Sequence, residues 1–336
     1  MHSALAALRA FVRARQRQPA QPGSDLAGDG PLALACSGGA DSTALLLAAR
    51  RLWPRRALHA LHVHHGLQPC ADAFAAHVRR LCADWGVECR VLQARVERRR
   101  GDSLEEQARL ARHALLQRAA RAAGCAWLLY GHHADDQAET LLLALLRGAG
   151  PLGLAAMPAA DCREGVWVGR PLLGCAASSL RAELDAAGID YLRDPMNEAP
   201  DLRRNRIRRE LLPVLAALEP SWRRTLGRSA QLCALAAQRL RDEAARDLEA
   251  CRGAPGLRLR CLLDWEPARR AEVLRAWLRQ LGLRSNAAQI DNLCRQIEAP
   301  TQAALQLRIA GARLWREEGW LRCAPASSGS LRLPAL

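Results

Sequence analysis

The segment of the chain best suited to bind an anion is short and rich in glycine: Ser37, Gly38, Gly39, Ala40, Asp41 and Ser42. An apolar run that begins at Leu32 precedes it and an alanine- and leucine-rich run follows it, which predicts a strand, a tight loop and a helix. Because glycine has no Cβ, a polyanion can approach this backbone and accept hydrogen bonds from the loop and the helix N-terminus. No lysine follows the glycines, which excludes a Walker A loop. Taken alone, the segment also fits a Gly-Gly turn with an Asp or Ser helix cap.

A group of carboxylates follows a later apolar run, residues 126–130, and comprises Asp135, Asp136 and Glu139. The pattern places them at a strand end and on the first turn of a helix, where acids suit the helix dipole. Beside a phosphate-binding loop, and together with Asp41, they would instead supply the oxygen ligands that Mg²⁺ takes alongside substrate phosphates. The adjacent His132 and His133 lack the partners of a zinc site, so substrate contact or helix capping is expected of them.

Arginines occur at helical spacing in two further segments. Glu105 and Arg109 form an i, i+4 pair on a predicted helix that also carries Arg112, and a solvated ion-pair face is the simplest interpretation. A second helix begins with a run of five arginines: Arg203, Arg204, Arg206, Arg208 and Arg209. Such a run is either solvated surface or a set of contacts to RNA phosphates.

The composition indicates an anionic partner. The 336 residues include 49 basic ones, all of them arginine, and the formal net charge is +15. Nucleic acid is the usual partner of so basic a chain, and guanidinium groups suit bidentate contacts to phosphate. The 12 cysteines form no Cys-x-x-Cys pair and lie in apolar surroundings, which indicates buried thiols in a reducing compartment. No apolar run approaches membrane-spanning length.

The N-terminal segment has two interpretations. It carries several arginines and no acid before Asp25, as an organellar transit peptide does. Its apolar residues lie at helical spacing and favour an ordinary amphipathic helix instead: Leu5, Leu8, Phe11 and Val12. We expect the helix.

An alternation of strands and helices must position these groups. Four successive strand–helix units between residues 32 and 147 predict an α/β fold with a doubly wound parallel sheet, followed by a smaller, mainly helical domain. Ligands bind such sheets beyond the carboxyl ends of the strands, and three turns fall there: residues 37–42, 64–67 and 131–136. We therefore expect one composite site. The predicted boundaries are an N-terminal helix and loop (1–30), the α/β domain (31–216), a mainly helical domain with short strands (217–326) and a tail (327–336).

Together these segments resemble the bacterial tRNA(Ile)-lysidine synthetases, members of the N-type ATP pyrophosphatase (PP-loop) superfamily. The matching segments are residues 37–42, 62–67, 104–112, 131–157, 170–173, 194–197 and 204–208. The Ser-Gly-Gly-x-Asp-Ser loop alone indicates only the superfamily. The block His-His-x-Asp-Asp-Gln-x-Glu-Thr, followed by Arg-Gly-x-Gly, is far more specific.

The resemblance implies a two-step ligation that forms a C–N bond. The C2 oxygen of the wobble cytidine of tRNA(Ile) with anticodon CAU attacks the α-phosphate of ATP, and pyrophosphate leaves. The ε-amine of L-lysine then displaces AMP to give lysidine. The resemblance also implies Mg²⁺, a bacterial cytoplasmic location, a PP-loop domain for catalysis, a second domain for tRNA, and a homodimer.

Motif matching to this family assigns roles to single residues. Ser37, Gly38, Gly39, Ala40, Asp41 and Ser42 bind the ATP phosphates. Asp136 is the Mg²⁺ or catalytic carboxylate with Asp41 as its partner, and Arg109 and Arg112 contact the nucleotide or the activated intermediate. The remaining candidates for contact with substrate or tRNA are His65, His133, Glu139, Arg147, Arg203, Arg204, Arg206 and Arg208.

The chain departs from the family pattern in three ways. His113 stands where tyrosine is usual, Met196 stands where serine is usual, and the C-terminal domain of the long-form enzymes does not follow residue 336. Two alternatives stay open at this point. One is a tRNA thiolase of the same superfamily, although such enzymes use clustered catalytic cysteines. The other is an RNA-binding homologue with reduced catalysis.

Overall fold

The strand that precedes the glycine-rich loop lies inside a six-stranded sheet of order β3-β2-β1-β4-β6-β5. The computed structural model describes residues 3–18, 23–64, 71–94, 104–193, 203–299 and 306–324, with the backbone alone for 104–106. The chain divides into two compact units between Ala234 and Leu235, and each is described by itself. The domain boundary at 216/217 stays a prediction from the sequence.

The first unit contains the sheet and the helices that cover it. Its strands are β1 (Leu32–Ala35), β2 (Leu58–His64), β3 (Glu88–Gln93), β4 (Trp127–Leu129), β5 (Ala160–Arg163) and β6 (Val166–Gly169). Its first helices are α1 (Ala4–Gln16), α2 (Ala40–Leu52), α3 (Ala71–Asp84), α4 (Leu104–Ala122), α5 (Ala134–Leu145), α6 (Pro151–Leu154) and α7 (Ala177–Ala186). They are followed by α8 (Arg203–Arg206), a π-helical turn (Ile207–Leu211), α9 (Leu212–Leu218) and the start of α10 (Trp222–Cys251).

The pairing of the strands confirms the predicted doubly wound sheet. The β1–β2, β1–β4, β2–β3 and β4–β6 pairs are parallel. Successive residues of β1 point to opposite faces: Leu32 and Leu34 pack with α1, α2 and α7, whereas Ala33 packs with α4. Burial of a leucine as complete as that of Leu34 contributes about 1.5–3 kcal/mol, so both faces hold the strand in register.

One edge of the sheet differs from the prediction. Strand β5 is antiparallel to β6, and Glu164 and Gly165 join the two with positive φ at both positions, as a type I′ hairpin requires. The sequence analysis assigned no strand to residues 160–163, because the segment Ala-Asp-Cys-Arg has little β propensity. Pairing with the buried strand β6 outweighs that weak local preference.

Helix α1 forms as the periodicity predicted. Ser3 caps it, and Ala4, Leu8 and Phe11 are buried against the sheet. Phe11 meets Trp127 edge to face at 6.1 Å, and Trp127 stacks on Trp167 at 5.4 Å. These aromatic contacts hold α1 against the sheet of the first unit.

A separate helical cluster lies on α5. Ala138 and Leu142 of α5 pack against Ile207, Leu212 and Trp222, all of them buried. The π turn ends two residues before Pro213, which has no N–H and whose ring would clash with the carbonyl four residues earlier, so the helix widens there. The widened turn keeps the basic helix in contact with α5.

The second unit has its own core and its own antiparallel sheet, of order β7-β8-β11-β10-β9. Its elements after α10 are β7 (Arg252–Gly253), β8 (Gly256–Arg258), α11 (Leu259–Leu263), α12 (Pro267–Gln280), α13 (Ala287–Glu298), β9 (Gln306–Ile309), β10 (Ala312–Glu317) and β11 (Trp320–Ala324). The predicted tail, residues 327–336, lies outside the described residues.

The thiols agree only in part with the expectation of buried cysteines, because Cys162 is exposed, whereas Cys36, Cys82, Cys125, Cys175, Cys251 and Cys294 are buried. The cysteines within the described residues are free. Cys36, at the end of β1, is 4% exposed, and burial raises the pKa of its thiol to about 12. Among the helices of the described ranges, none is long and apolar enough to cross a bilayer.

Candidate active site

The glycine-rich loop joins the end of β1 to the start of α2. Gly38 has a φ of +88°, and a Cβ there would lie 3.1 Å from Val78 Cγ2, so both conformation and space favour glycine. The Ser42 hydroxyl donates to the Gly39 carbonyl (3.0 Å) and accepts from the Ser37 N–H (3.2 Å). Within the described residues no side chain caps α2, which leaves its N-terminus to a bound anion.

Gly131 brings the carboxylate-bearing turn against this loop. A Cβ at Gly131 would lie 2.8 Å from the Asp41 carbonyl oxygen and 3.0 Å from the Ser42 nitrogen, which no ordinary side chain tolerates. The end of β4 can therefore touch the first turn of α2 only through glycine. On the other side of β1, His62 Nδ1 donates to the Cys36 carbonyl (2.8 Å) and ties β2 to the start of the loop.

His133 links the two turns. It caps α5, because its Nδ1 accepts from the Asp136 backbone N–H (3.3 Å) and its own N–H donates to Asp136 Oδ2 (3.1 Å). Its Nε2 lies 3.5 Å from Asp41 Oδ2 and 3.4 Å from Asp136 Oδ2. One buried imidazole thus holds together the two carboxylates that the sequence analysis paired.

The neighbours of His133 determine where its proton lies. Burial lowers the pKa of this imidazole, but the hydrogen bond to Asp41 and the charges of Asp136, Asp41 and Asp135 outweigh burial and raise the pKa to about 9. The raised pKa favours protons on both nitrogens, whereas the cap needs an unprotonated Nδ1. Both observations require a proton on Nε2, which faces Asp41 and Asp136.

Asp41 and Asp136 differ in how far their oxygens are already engaged. Asp41 Oδ1 is buried, and none of the described residues hydrogen-bonds it. Asp136 Oδ1 accepts from Arg204 Nη2 (2.8 Å). Burial raises the Asp136 pKa, but the charges of His133 and Arg204 lower it below its usual range, so Asp136 is ionised. Asp41 therefore offers an oxygen for a cation, and Asp136 adds negative charge beside it.

Glu139, one turn further along α5, is fully buried and pairs with the basic helix. Arg204 Nε donates to Glu139 Oε2 (2.5 Å), and Arg208 Nε donates to Oε1 (2.7 Å). The sequence analysis proposed Arg204 and Arg208 as tRNA contacts. The structure gives both an intramolecular partner at the site, whereas Arg203 and Arg206 face solvent.

Asp135 points away from its neighbour Asp136. Its Oδ1 accepts from Arg223 Nη2 (2.7 Å) and its Oδ2 from the Ala177 N–H (3.0 Å). Both oxygens are thus engaged by other elements, so Asp135 is not an available Mg²⁺ ligand. Arg223 was missed by the sequence analysis, because a pair separated by 88 residues leaves no local spacing signal.

A row of rings forms another side of the turn at β4. Tyr130 stacks on His132 at 5.4 Å, and the Tyr130 hydroxyl lies 3.0 Å from His113 Nδ1. Burial, Arg112 and Arg109 lower the His113 pKa to about 4, and burial raises the Tyr130 pKa to about 12. The neutral imidazole of His113 therefore accepts a hydrogen bond from the Tyr130 hydroxyl. Histidine at 113 keeps a hydrogen bond here despite its departure from the family pattern.

The other predicted site residues lie at varied places. Arg109 and Arg112 are exposed on α4, and both carry charge close enough to lower the His113 pKa. Arg147 is exposed beyond the opposite end of α5 from Asp136, about 16 Å along the helix axis. The predicted candidate His65 lies outside the described residues, as do Met196 and the rest of the 194–197 motif.

The sequence is similar over most of its length to characterised families. Residues 12–215 match the PP-loop domain family, and residues 257–322 match the TilS substrate binding domain family. A protein of Polaromonas naphthalenivorans named tRNA(Ile)-lysidine synthase is 42% identical over 300 residues, which is 89% of this chain and 90% of that protein. One of Xanthomonas campestris pv. campestris with the same name is 42% identical over 307 residues, or 88% and 69% of the two chains.

A solved structure shares the fold. The U34-tRNA thiolase NcsA from Methanococcus maripaludis, solved with its [4Fe-4S] cluster, has a TM-score of 0.56 and covers 70% of this chain and 84% of its own. At 16% identity it supports the α/β architecture alone. The glycine-rich loop at the end of β1, the carboxylate turn held against it and the two matched domains agree with the extended similarity to the named relatives, and the chain belongs to the tRNA(Ile)-lysidine synthase family.

Proposed function

We propose that this protein ligates L-lysine to C2 of the wobble cytidine of tRNA(Ile) with anticodon CAU, using ATP, in the bacterial cytoplasm. The observation that carries the proposal is the contact between the glycine-rich loop and the carboxylate turn at the carboxyl edge of one parallel sheet. Such a site places a glycine-rich loop that can bind triphosphate next to carboxylates that can stabilise charge. The same edge can therefore hold ATP and the base that it activates.

In the first step the cytidine C2 oxygen forms a bond to the α-phosphorus of ATP, and the bond to pyrophosphate breaks. The N–H groups of Gly38, Gly39 and the first turn of α2 would hold the departing phosphates, where negative charge develops. Arg109 and Arg112 would lie beside the nucleotide and neutralise further charge. The loop needs no side-chain rearrangement for this role, since Ser37 and Ser42 already brace it.

In the second step the lysine ε-amine forms a bond to C2, and the C2–O bond to AMP breaks. The amine must lose a proton before or during this attack. Ionised Asp136, beside the Nε2–H of His133, is the group that we assign to accept it or to stabilise the ammonium ion beforehand. Arg204 and Glu139 hold Asp136 and the basic helix in place.

The donor set fits a magnesium ion supplied with ATP. Asp41 Oδ1 is buried and has no hydrogen-bond partner among the described residues, and the Oδ2 atoms of Asp41 and Asp136 lie 3.5 Å and 3.4 Å from the same His133 Nε2. No group of three or more metal-ligating side chains occurs in the described ranges, so phosphate oxygens and water would complete the shell, as Mg²⁺ prefers. When bound there, Mg²⁺ would neutralise charge on the leaving pyrophosphate.

A direct assay tests the proposal. The protein is incubated with ATP, radiolabelled lysine and a tRNA(Ile) transcript carrying the anticodon CAU, and label retained on the RNA is counted. We expect label on this transcript and none on a control transcript in which the wobble cytidine is replaced by uridine. Equal labelling of both transcripts, or of neither, would refute the proposed reaction.

A further inference from the structure

Asp135 joins three elements although it lies beside the site rather than in it. It is 9% exposed and lies on the first turn of α5. Its Oδ2 accepts from the Ala177 N–H at the start of α7, a helix with no side-chain cap of its own among the described residues. Its Oδ1 accepts from both Nε (3.0 Å) and Nη2 (2.7 Å) of Arg223, at the start of α10. The first turn of α5 is therefore fixed from two sides.

The Arg223 side chain is itself held in a defined position. Its guanidinium carbon lies 4.3 Å from the ring centroid of Trp222, and Trp222 is 3% exposed in the cluster beneath α5. A guanidinium group stacked on a buried indole loses little further freedom when two of its N–H groups donate to one carboxylate oxygen. Arg223 thus meets Asp135 as a preformed partner through two charge-assisted hydrogen bonds to Oδ1.

The Arg223–Asp135 pair matters because Asp135 and the cap of α5 compete for the same atom, His133 Nδ1. Asp135 Oδ2 lies 3.7 Å from His133 Nδ1, the atom that accepts the Asp136 N–H in the cap. Without Arg223, Asp135 would be a buried carboxylate without a cationic partner, and the nearest cation is the imidazole of His133. Rotation of that ring towards Asp135 would break the cap and withdraw Nε2 from Asp41 and Asp136.

We propose that Arg223 is a positioning residue for the reaction, because it engages Asp135 and so keeps the His133 ring directed at Asp41 and Asp136. The kinetic test of this role rests on the proposed function, because it measures kcat for lysine transfer to tRNA. The inference assigns Arg223 a role inside the first unit, distinct from the exposed arginines that are predicted to contact RNA.

The test compares Arg223→Gln with Arg224→Gln, a matched change at the next, exposed residue of α10. We expect Arg223→Gln to lower kcat for lysine transfer about tenfold to a hundredfold, the scale of loss that a misplaced catalytic group causes, with KM for tRNA nearly unchanged. Arg224→Gln should keep the wild-type kcat. A loss confined to KM, or equal kcat values in the two variants, would overturn the proposal.

A second variant separates positioning from stability. Asp135→Asn keeps an oxygen for the Ala177 N–H but removes the charge that competes for His133. We therefore expect Asp135→Asn to restore most of the kcat lost in Arg223→Gln, a strongly non-additive result. Additive losses would overturn the proposal. If Arg223→Gln does not fold, the same comparison is made with Arg223→Lys, which keeps the charge but cannot place two N–H groups of a planar guanidinium on Asp135 Oδ1.

A spectroscopic readout makes the inference independent of activity. In protein labelled with ¹⁵N-histidine, the signals of His133, identified by their loss in His133→Asn, report which ring nitrogen carries the proton. We expect them to shift in Arg223→Gln and to return in the double variant. If wild-type protein labels no tRNA but these shifts occur, the proposed function fails while the positioning role stands; unchanged signals would overturn the positioning role.

Discussion

Single atoms decide how the two turns of the site fit together. The absent side chain of Gly131 lets the carboxylate turn touch α2, and the Nε2–H of His133 then faces a carboxylate from each turn. Neither residue needs to react for the site to depend on it. Substitutions that leave every charge in place should therefore still impair the enzyme.

Gly131→Ala tests the close approach. The added Cβ would lie 2.8 Å from the Asp41 carbonyl oxygen, so the loop must move, at a cost of about 1–3 kcal/mol in unfolding free energy. We expect ATP affinity, measured by calorimetry, to fall at least tenfold. Gly174→Ala is the control, because a Cβ there meets nothing within 4 Å. Equal ATP affinities in the two variants would contradict the contact.

His113 gives the molecule a measurable response to acid. Its folded-state pKa of about 4 lies below the unfolded value near 6.5, so the unfolded chain binds this proton first. The contribution of His113 to stability is complete above pH 6.5 and is lost as pH falls to 4, an effect on the order of 2–3 kcal/mol.

The measurement is urea unfolding of wild type and His113→Tyr between pH 4 and pH 7. Tyrosine does not titrate in this range and keeps a hydroxyl for Tyr130. We expect the wild type to lose more stability than the variant across this interval. Parallel curves would show that His113 is not buried neutral beside Tyr130.

At the scale of elements, the basic helix that begins with α8 is held to α5 by a buried carboxylate. Glu139 is fully buried and accepts hydrogen bonds from Arg204 and Arg208. The π turn before Pro213 accommodates the backbone hydrogen bond that proline cannot donate. The Arg204 and Arg208 side chains are about one-third exposed, so part of their charge is solvated. This contact orients the helix towards the site instead of leaving it as a free basic arm.

Glu139→Gln measures that contact. Removing one partner of a buried ion pair leaves the other unpaired, and with partial solvation of the arginines we expect a loss of about 2–3 kcal/mol in unfolding free energy. Glu210→Gln removes the partner of Arg206 on the exposed side of the same helix and should leave the free energy of unfolding nearly unchanged. Urea unfolding of both variants makes the comparison, and similar losses would contradict a structural role for Glu139.

At the scale of the whole molecule, a net charge of +15 implies salt-dependent association with RNA. Of the four arginines of the basic helix predicted to contact tRNA, Arg203 and Arg206 are exposed, as is the neighbouring Arg209, whereas Arg204 and Arg208 bind Glu139. Changing the first pair to alanine should weaken tRNA binding and reduce the slope of log K against log salt by about 1–2. Filter binding at several salt concentrations provides the slopes, and an unchanged slope would identify Arg203 and Arg206 as solvated surface.

The sequence predicted the parts of this molecule that have local signals. The alternation of apolar runs and helical periods predicted the sheet and its order of helices, and the motifs predicted that Asp41, His133 and Asp136 share a site. Spacing along the chain does not report which face of a helix meets another element. For that reason the contacts of Arg204 and Arg208 with Glu139 were not predicted, and neither was Arg223, whose partner lies 88 residues away; contact of Arg204 and Arg208 with tRNA stays a prediction.

Strands β5, β7 and β8 were missed for a related reason, whereas the short strands β9 to β11 were predicted from the sequence. The β5–β6 turn uses Glu-Gly, which is a weaker hairpin signal than Asn-Gly, and the missed strands owe their conformation to pairing rather than to propensity.

Alkylation of the Cys36 thiol can measure how often the end of β1 opens. With a pKa of about 12, only about one thiol in ten thousand is ionised at pH 8, so an alkylating reagent must wait for the strand to fray and admit water. The rate of alkylation at Cys36, followed by peptide mass spectrometry, then reports how often the strand beneath the loop opens. A nucleotide bound to that loop should lower the rate of alkylation at Cys36 in proportion to the fraction of loops that it occupies, whether or not any tRNA is present.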